Sequence, residues 1–91
     1  MRVILDCERL LHRRPAHAYL QEALGFPAYY GKNLDALFDC LTDLCDCTVV
    51  LRGRDALACS GGYGARILRV FEDAARANPH LTLEADDMPE E

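Results

Sequence analysis

Several features of membrane-bound and secreted proteins are missing from this chain. It has no tryptophan and only seven other aromatic residues, three Phe and four Tyr, and none of its apolar runs approaches the ~20 residues of a membrane-spanning helix. The apolar run in the N-terminal MRVILDCERL is far too short for a secretory signal, so we expect neither a signal peptide nor membrane association. No repeat, linker or low-complexity stretch divides the 91 residues, which suffice for one domain.

Basic residues are outnumbered. Ten Lys and Arg against 15 Asp and Glu give a formal net charge of −5. Binding nucleic acid through its phosphates requires a basic patch, so we expect this chain to bind no nucleic acid itself. Part of the acidic excess is the terminal DDMPEE, and we predict a single domain over residues 1–85 followed by a disordered acidic tail at 86–91.

The cysteine pattern argues against both disulfides and a metal. The five cysteines are Cys7, Cys40, Cys45, Cys47 and Cys59. An odd number without a secretory signal is typical of a reduced, cytoplasmic chain with free thiols. The spacing C-x4-C-x-C of the middle three matches no common zinc pattern and the three histidines are scattered, so we expect no metal and no cofactor.

Short β-branched runs separated by helical patterns predict an α/β fold. The predicted strands are residues 3–5, 48–51 and 81–83, and the continuous apolar run TVVL of the second is typical of a strand covered on both faces. A first helix is predicted between Pro15, suited to a first turn, and Gly25, suited to the residue after the last turn. Asn33 is the predicted N-cap of a second helix.

The last helix is predicted at residues 65–78, and the glycine-rich segment 52–64 is predicted to be mostly loop, with one helical turn at 55–59. Strands that alternate with helices predict parallel pairing through right-handed crossovers. The expected structure is a small open sheet with helices packed on it.

The second predicted helix has an unusual polar face. Opposite its leucine stripe it is predicted to carry Asp35, Asp39, Thr42, Asp43 and Asp46. Like charges one turn apart cost a few tenths of a kcal/mol per pair, so helix formation alone does not require this face. It is either a solvated surface or a binding surface.

The tyrosine pair before this helix favours binding. Tyr29 and Tyr30 stand in the loop that leads to its N-terminus, and an exposed tyrosine beside charges is typical of an interface. One of the two is predicted to pack inward against Phe26 or Leu37, which leaves the other exposed.

Residues 29–42, YYGKNLDALFDCLT, resemble the signature of the barstar family of intracellular ribonuclease inhibitors. The resemblance extends to residues 2–6 and 49–51 and to Val70, Phe71 and Ala74, and covers most of the chain to about residue 85. It implies a three-stranded parallel sheet packed with three or four helices. It also implies a monomeric, stoichiometric inhibitor without catalysis, which plugs the basic active site of a secreted, barnase-type, guanyl-specific ribonuclease in a 1:1 complex.

The resemblance also implies roles for individual residues. Asp39 would be the central carboxylate, standing where a substrate phosphate sits and accepting hydrogen bonds from arginine and histidine. Asp35 would bond basic residues and backbone amides at the edge of the cleft, and Tyr29 would stack on a histidine of the enzyme. The surface would be completed by Gly31, Asn33, Phe38, Thr42 and, in the last helix, Asp73.

Three positions depart from what the resemblance implies: the family's best-known member has tryptophan where this chain has Phe38 and Leu44, and Lys32 replaces an acidic residue. A second hypothesis is therefore a barstar-like antitoxin or interaction module for a different basic toxin or cytosolic partner. An enzyme would use Asp35 and Asp39 as an acid/base or metal pair, which requires a pocket or a third ligand that the sequence does not indicate. We do not expect catalysis.

Overall fold

The computed structural model describes residues 1–55, 57 and 62–86 of the chain. Three parallel strands, β1 (Arg2–Asp6), β2 (Cys47–Arg52) and β3 (Leu81–Asp86), form one sheet in the order β1-β2-β3. The helices are α1 (Arg13–Leu24), α2 (Leu34–Thr42) and α3 (Tyr63–Ala77), and a 3-10 helix at Cys7–Leu10 follows β1. The predicted barstar-like α/β architecture with a parallel sheet is confirmed.

Local sequence signals set the limits of α1. Pro15 lies in its first turn, where the missing N–H costs no helical hydrogen bond. Gly25 ends the helix in the left-handed conformation, at φ 70°, and its N–H donates to the carbonyl of Gln21. A residue with a Cβ is strained in this conformation, so the glycine at this position correctly predicted the end of α1.

The segment between β2 and α3 is more regular than the predicted loop. β2 continues through Arg52 and α3 begins at Tyr63. Arg54, Asp55 and Leu57 have helical backbone, and the other residues of the predicted turn at 55–59 lie outside the described part. β3 ends at Asp86, and the boundary proposed between domain and tail stays a prediction because residues 87–91 also lie outside it.

The expectation that β2 is covered on both faces holds at its middle, where consecutive residues are buried. Val49 and Leu51 enter the core cluster, whereas Val50, only 4% exposed, points to the opposite face. There its neighbours in register are Ile4, 49% exposed, and Glu84. This second face is therefore buried at Val50 and open at its exposed neighbours in register on β1 and β3.

The core lies between this sheet and the helices. Its largest fully buried side chain is Phe71 of α3, which belongs to one cluster with leucines of the strands and helices. Burial of each such side chain stabilises the fold by about 1.5–3 kcal/mol. α2 packs mainly on α3 rather than on the sheet, which leaves its opposite face open. In the described ranges no helix has the length and apolarity to cross a bilayer.

Candidate functional site

The start of α2 is fixed by its own sequence. Asn33 is extended, and its side-chain oxygen accepts a 2.8 Å hydrogen bond from the N–H of Ala36, as the sequence predicted for an N-cap. Its amide nitrogen also donates to the carbonyl of Gly31 at 3.4 Å. An asparagine cap of this kind contributes about 1 kcal/mol and holds the preceding loop against the helix.

The two central carboxylates lie on the open face of α2. Asp35 and Asp39 are exposed and one turn apart, a rise of about 6 Å along the axis. Asp35 stands in the first turn, where the helix dipole stabilises a negative charge. The hydroxyl of Thr42, half-buried, donates to the backbone carbonyl of Asp39 at 2.9 Å, so it is engaged within the helix.

The predicted acidic face is shorter than the sequence suggested. α2 ends at Thr42, so Asp43 is its C-cap, and Asp46 has left the helix with a φ of 49°. The prediction that all four aspartates share one helical face was therefore wrong for Asp46, and only Asp35 and Asp39 lie within the helix.

A distant side chain holds the C-terminal end of α2. The buried Asn78, which follows α3, donates from its amide nitrogen to the carbonyls of Leu41 at 3.1 Å and Leu44 at 2.9 Å. Its oxygen accepts from the N–H of His80 at 2.9 Å. Asn78 therefore adds a donor to one carbonyl of the last turn of α2 and to one just beyond its end. Sequence reasoning treated this residue only as the stop of the last helix.

The tyrosine pair divides as expected. Tyr29 is 89% exposed, whereas Tyr30 is 5% exposed and packs on Phe26, with ring centroids 5.0 Å apart. The prediction that one tyrosine packs inward and the other stays exposed is confirmed. Tyr29 therefore offers a full aromatic ring beside the acidic face of α2.

Tyr30 is anchored by a buried histidine that the sequence analysis did not single out. The ring nitrogens of His17 lie 2.7 Å from the hydroxyl of Tyr30 and 2.6 Å from that of Tyr63. A neutral imidazole donates at one nitrogen and accepts at the other, so it satisfies both hydroxyls and joins α1, the loop and α3. The sequence could have predicted this burial, because His17, Leu20 and Leu24 are spaced at i, i+3 and i+7 and so lie on the buried stripe of α1.

His17 is expected to link stability to pH. Burial lowers its pKa below the ordinary 6.5, and the charges of Arg13 and Lys32 lower it further. Between that lowered pKa and about 6.5 the unfolded chain binds more protons than the folded one. The stability contribution is therefore complete above this window and is lost as pH falls through it, by at most ~1.4 kcal/mol per pH unit.

Urea titrations of the wild type and of His17→Gln, from about pH 8 to pH 5, measure this effect. The variant is less stable at every pH because the two hydroxyls lose their partner. Its free energy of unfolding should nevertheless fall less steeply below pH ~6.5 than that of the wild type. Parallel profiles would contradict the assignment, since every other titrating group is common to both proteins.

Gly31 and Lys32 shape the loop between the tyrosines and the helix. A Cβ at Gly31 would lie 3.3 Å from the Cβ of Ala36 and 3.4 Å from the amide nitrogen of Asn33, so a side chain there would press on the helix cap. Lys32 is in the left-handed region, at φ 56°, which is unusual for a residue other than glycine, asparagine or aspartate.

Two other predicted site residues, Phe38 and Asp73, already make contacts within the protein. Phe38 is half-buried and packs partly against the core. Asp73 lies on α3, where its carboxylate is 2.9 Å from a guanidinium nitrogen of Arg76 and 3.8 Å from one of Arg69. A partner that uses Asp73 must therefore compete with two arginines of the same helix.

The four cysteines in the described part of the chain are free thiols. Cys7 and Cys47 are buried, Cys40 is half-buried and Cys45 is exposed. Burial raises the pKa of Cys7 to about 11 and also raises those of Cys40 and Cys47, so these thiols stay protonated and inert at neutral pH. Among the described residues no group of three or more His, Cys, Asp and Glu is arranged to hold a metal ion, and Cys59 lies outside them.

Comparisons with known proteins agree with this arrangement. The family model described as Barstar (barnase inhibitor) matches residues 1–87. A protein of Bacillus subtilis (strain 168) named "Putative ribonuclease inhibitor YrdF" is 37% identical over 76 residues, a match that covers 80% of this chain and 84% of that protein. The chain belongs to the barstar family.

Proposed function

We propose that this protein is a stoichiometric inhibitor of a barnase-type, guanyl-specific ribonuclease. In this proposal α2 and the loop before it plug the basic active site of a secreted enzyme in a 1:1 complex. The inhibitor is a monomer when free and protects the cytoplasm of the producing bacterium, as an immunity protein or antitoxin does. It performs no catalysis of its own.

The observation that carries the proposal is the combination of an exposed tyrosine with two exposed carboxylates on a helix fixed at both ends. Asn33 caps the start of α2 and Asn78 holds its end, so Asp35 and Asp39 lose little further backbone freedom on binding. The matches to the family model and to a named inhibitor over most of the chain support the same function.

Charge complementarity explains how such a face inhibits. A ribonuclease active site is basic because it binds RNA phosphates, and carboxylates on a rigid helix present a comparable negative charge. Asp39, in the middle of α2, takes the place of a substrate phosphate and accepts bidentate hydrogen bonds from arginine. Asp35 bonds the edge of the cleft. Their mutual repulsion in the free protein is relieved when cations approach.

Residues around Asp35 and Asp39 complete the proposed binding surface. Tyr29 presents an exposed ring for stacking on a histidine of the enzyme. Gly31 lets the partner approach the bare backbone. Phe38, Thr42 and Asp73 lie at the margin, where contacts exclude water more than they add affinity.

Titration calorimetry against a purified barnase-type ribonuclease, with RNA cleavage assayed in parallel, tests the proposal. One-to-one binding that abolishes cleavage is the expected result. Binding without inhibition, or no binding to any ribonuclease of this class, would refute it.

The second candidate is a barstar-like module for a different basic toxin or cytosolic protein. The observation that favours it is Lys32, which adds a cation next to an acidic face. Pull-down from the producing cell, using the wild type with an Asp39→Ala control, distinguishes the two candidates. A basic partner that is not a ribonuclease, retained only by the wild type, would replace the first proposal.

Salt is expected to weaken the complex mainly by slowing association. Opposite potentials steer two proteins together, and salt screens that attraction beyond about 8–10 Å, whereas close pairs in the formed complex are screened less. The barnase–barstar pair is itself a known illustration of such steering, so only the direction is predicted here.

Stopped-flow fluorescence measures this effect. Because this chain has no tryptophan, a ribonuclease that contains tryptophan can be followed without background. The association rate constant should decrease with NaCl, and less steeply for Asp39→Asn. An association rate that does not depend on salt would mean that the aspartates of α2 do not steer binding.

A further inference from the structure

A cationic cavity lies beside the acidic face of α2. Its volume is about 580 Å³, and its lining residues come from the start of α1 and from the loop before α2. They are Arg13, Arg14, His17, Gly31 and Lys32. Among the described residues, the lining has three permanent positive charges and no carboxylate, in a protein whose net charge is −5.

These three cations lack ion-pair partners among the residues that the structure describes. By contrast, Arg2 pairs with Glu84 at 3.3 Å, and Arg69 and Arg76 share Asp73. Cations that converge on one cavity repel one another and keep their hydration unless an anion joins them. All three side chains are exposed, so each is hydrated in the free protein and accessible to an anion.

The charges that line the cavity also affect the pKa of His17. After burial, the charges of Arg13 and Lys32 are the causes that lower the pKa of His17, which forms part of the lining. A neutral His17 adds no further positive charge and remains bonded to both tyrosine hydroxyls. The inner wall of the cavity is therefore a fixed, hydrogen-bonded group, and the charge is carried by the three longer side chains.

The position of Lys32 is not explained by backbone preference. Its φ of 56° lies in the left-handed region, which costs roughly 1–2 kcal/mol for most residues with a side chain. Strain of this kind is typical of binding positions, where the surrounding structure maintains it. Here it accompanies an ammonium group that lines the cavity.

We propose that this cavity binds a small phosphate-bearing ligand, held by Arg13, Arg14 and Lys32. Two guanidinium groups offer paired donors that match phosphate oxygens, and an ammonium adds a compact third charge. Gly31 has no side chain to fill the space. The volume lies within the range of about 300–1,000 Å³ of small-molecule sites, which leaves room for an organic substituent on the phosphate.

This site differs from the face that Asp35 and Asp39 offer to a basic enzyme. It attracts an anion rather than a cation, and binding of phosphate is measured without any ribonuclease. The two proposals can therefore succeed or fail independently.

The experiment is a ¹H–¹⁵N NMR titration of the whole chain with inorganic phosphate in a non-phosphate buffer at constant ionic strength. Saturable shifts are expected for amides around residues 13–17 and 30–33 and for Tyr63, with the rest of the spectrum unchanged. An equal concentration of acetate is the comparison anion, and a nucleoside monophosphate tests whether the organic part adds affinity.

The variants test individual cations. Lys32→Asn removes the ammonium while keeping a residue that tolerates a left-handed φ, and Arg14→Gln removes one guanidinium. Each should weaken phosphate binding about tenfold, the effect of losing one charged hydrogen bond. Arg76→Gln removes a cation that does not line the cavity and should bind as the wild type does.

Three results would overturn the proposal. The first is shifts that do not saturate. The second is an unchanged titration in Lys32→Asn and Arg14→Gln, and the third is an equal response to acetate. The last result would assign the cavity to carboxylates, and so to an acidic side chain of a protein partner.

Discussion

Replacing Asp39 with alanine is expected to weaken the complex with a barnase-type ribonuclease by at least about 30-fold, or ~2 kcal/mol. This is the threshold for a binding hot spot, and barnase–barstar is among the complexes that define that scale. The physical reason is that Asp39 lies centrally on α2, where a docked enzyme excludes water. Arginine and histidine buried against it lose their counter-charge when the carboxylate is removed.

A matched pair of variants distinguishes the effect of a carboxylate's position on affinity from the effect of net charge. Asp39→Asn and Asp46→Asn each remove one negative charge and keep the shape of the side chain. Asp46 lies beyond the end of α2, and asparagine tolerates its φ of 49°. Calorimetry should show a large loss for the first and a small loss for the second. Equal losses would mean that net charge, rather than a plug formed by α2, determines the affinity.

Replacing Asn78 with alanine is expected to lower the free energy of unfolding by about 2–3 kcal/mol, which corresponds to roughly 10–20 °C in Tm for a domain of this size. The residue is 5% exposed, and its side chain makes three hydrogen bonds, two of them to carbonyls at the end of α2 and just beyond it. Alanine leaves buried polar groups without partners and opens a small cavity. Urea denaturation followed by far-UV circular dichroism measures the loss.

Two control variants identify the cause of the stability loss in Asn78→Ala. Asn78→Leu restores the volume without the donors, so it should remain as unstable as the alanine variant if hydrogen bonding is the main term. Recovery of wild-type stability by leucine would show that packing matters instead. Asn33→Ala, which removes the cap at the other end of α2, should cost only about 1 kcal/mol because that site is exposed to water.

Features that depend on neighbouring residues could be predicted from the sequence. The limits of α1 follow from Pro15 and Gly25, and the start of α2 follows from Asn33, because turn and cap preferences act over a few residues. The sequence also predicted that one tyrosine of the pair is buried and the other exposed. It did not predict which of the two is exposed.

Features that depend on distant residues could not be predicted. The end of α2 is held by Asn78, which lies 34 residues beyond one carbonyl it binds and 37 beyond the other, so no local pattern indicates this contact. The environment of His17 depends on Tyr63, 46 residues away.

The order of contacts along the chain has a consequence for synthesis. β1 pairs with β2 across about 46 residues, and β2 pairs with β3 across 34, as in Arg2 with Thr48 and Cys47 with Leu81. Such non-local pairing is slow to form compared with helices. α2 emerges from the ribosome before α3 and Asn78, the elements that support it. Asp35 and Asp39 are therefore translated before the residues that pack against α2 and form hydrogen bonds at its end.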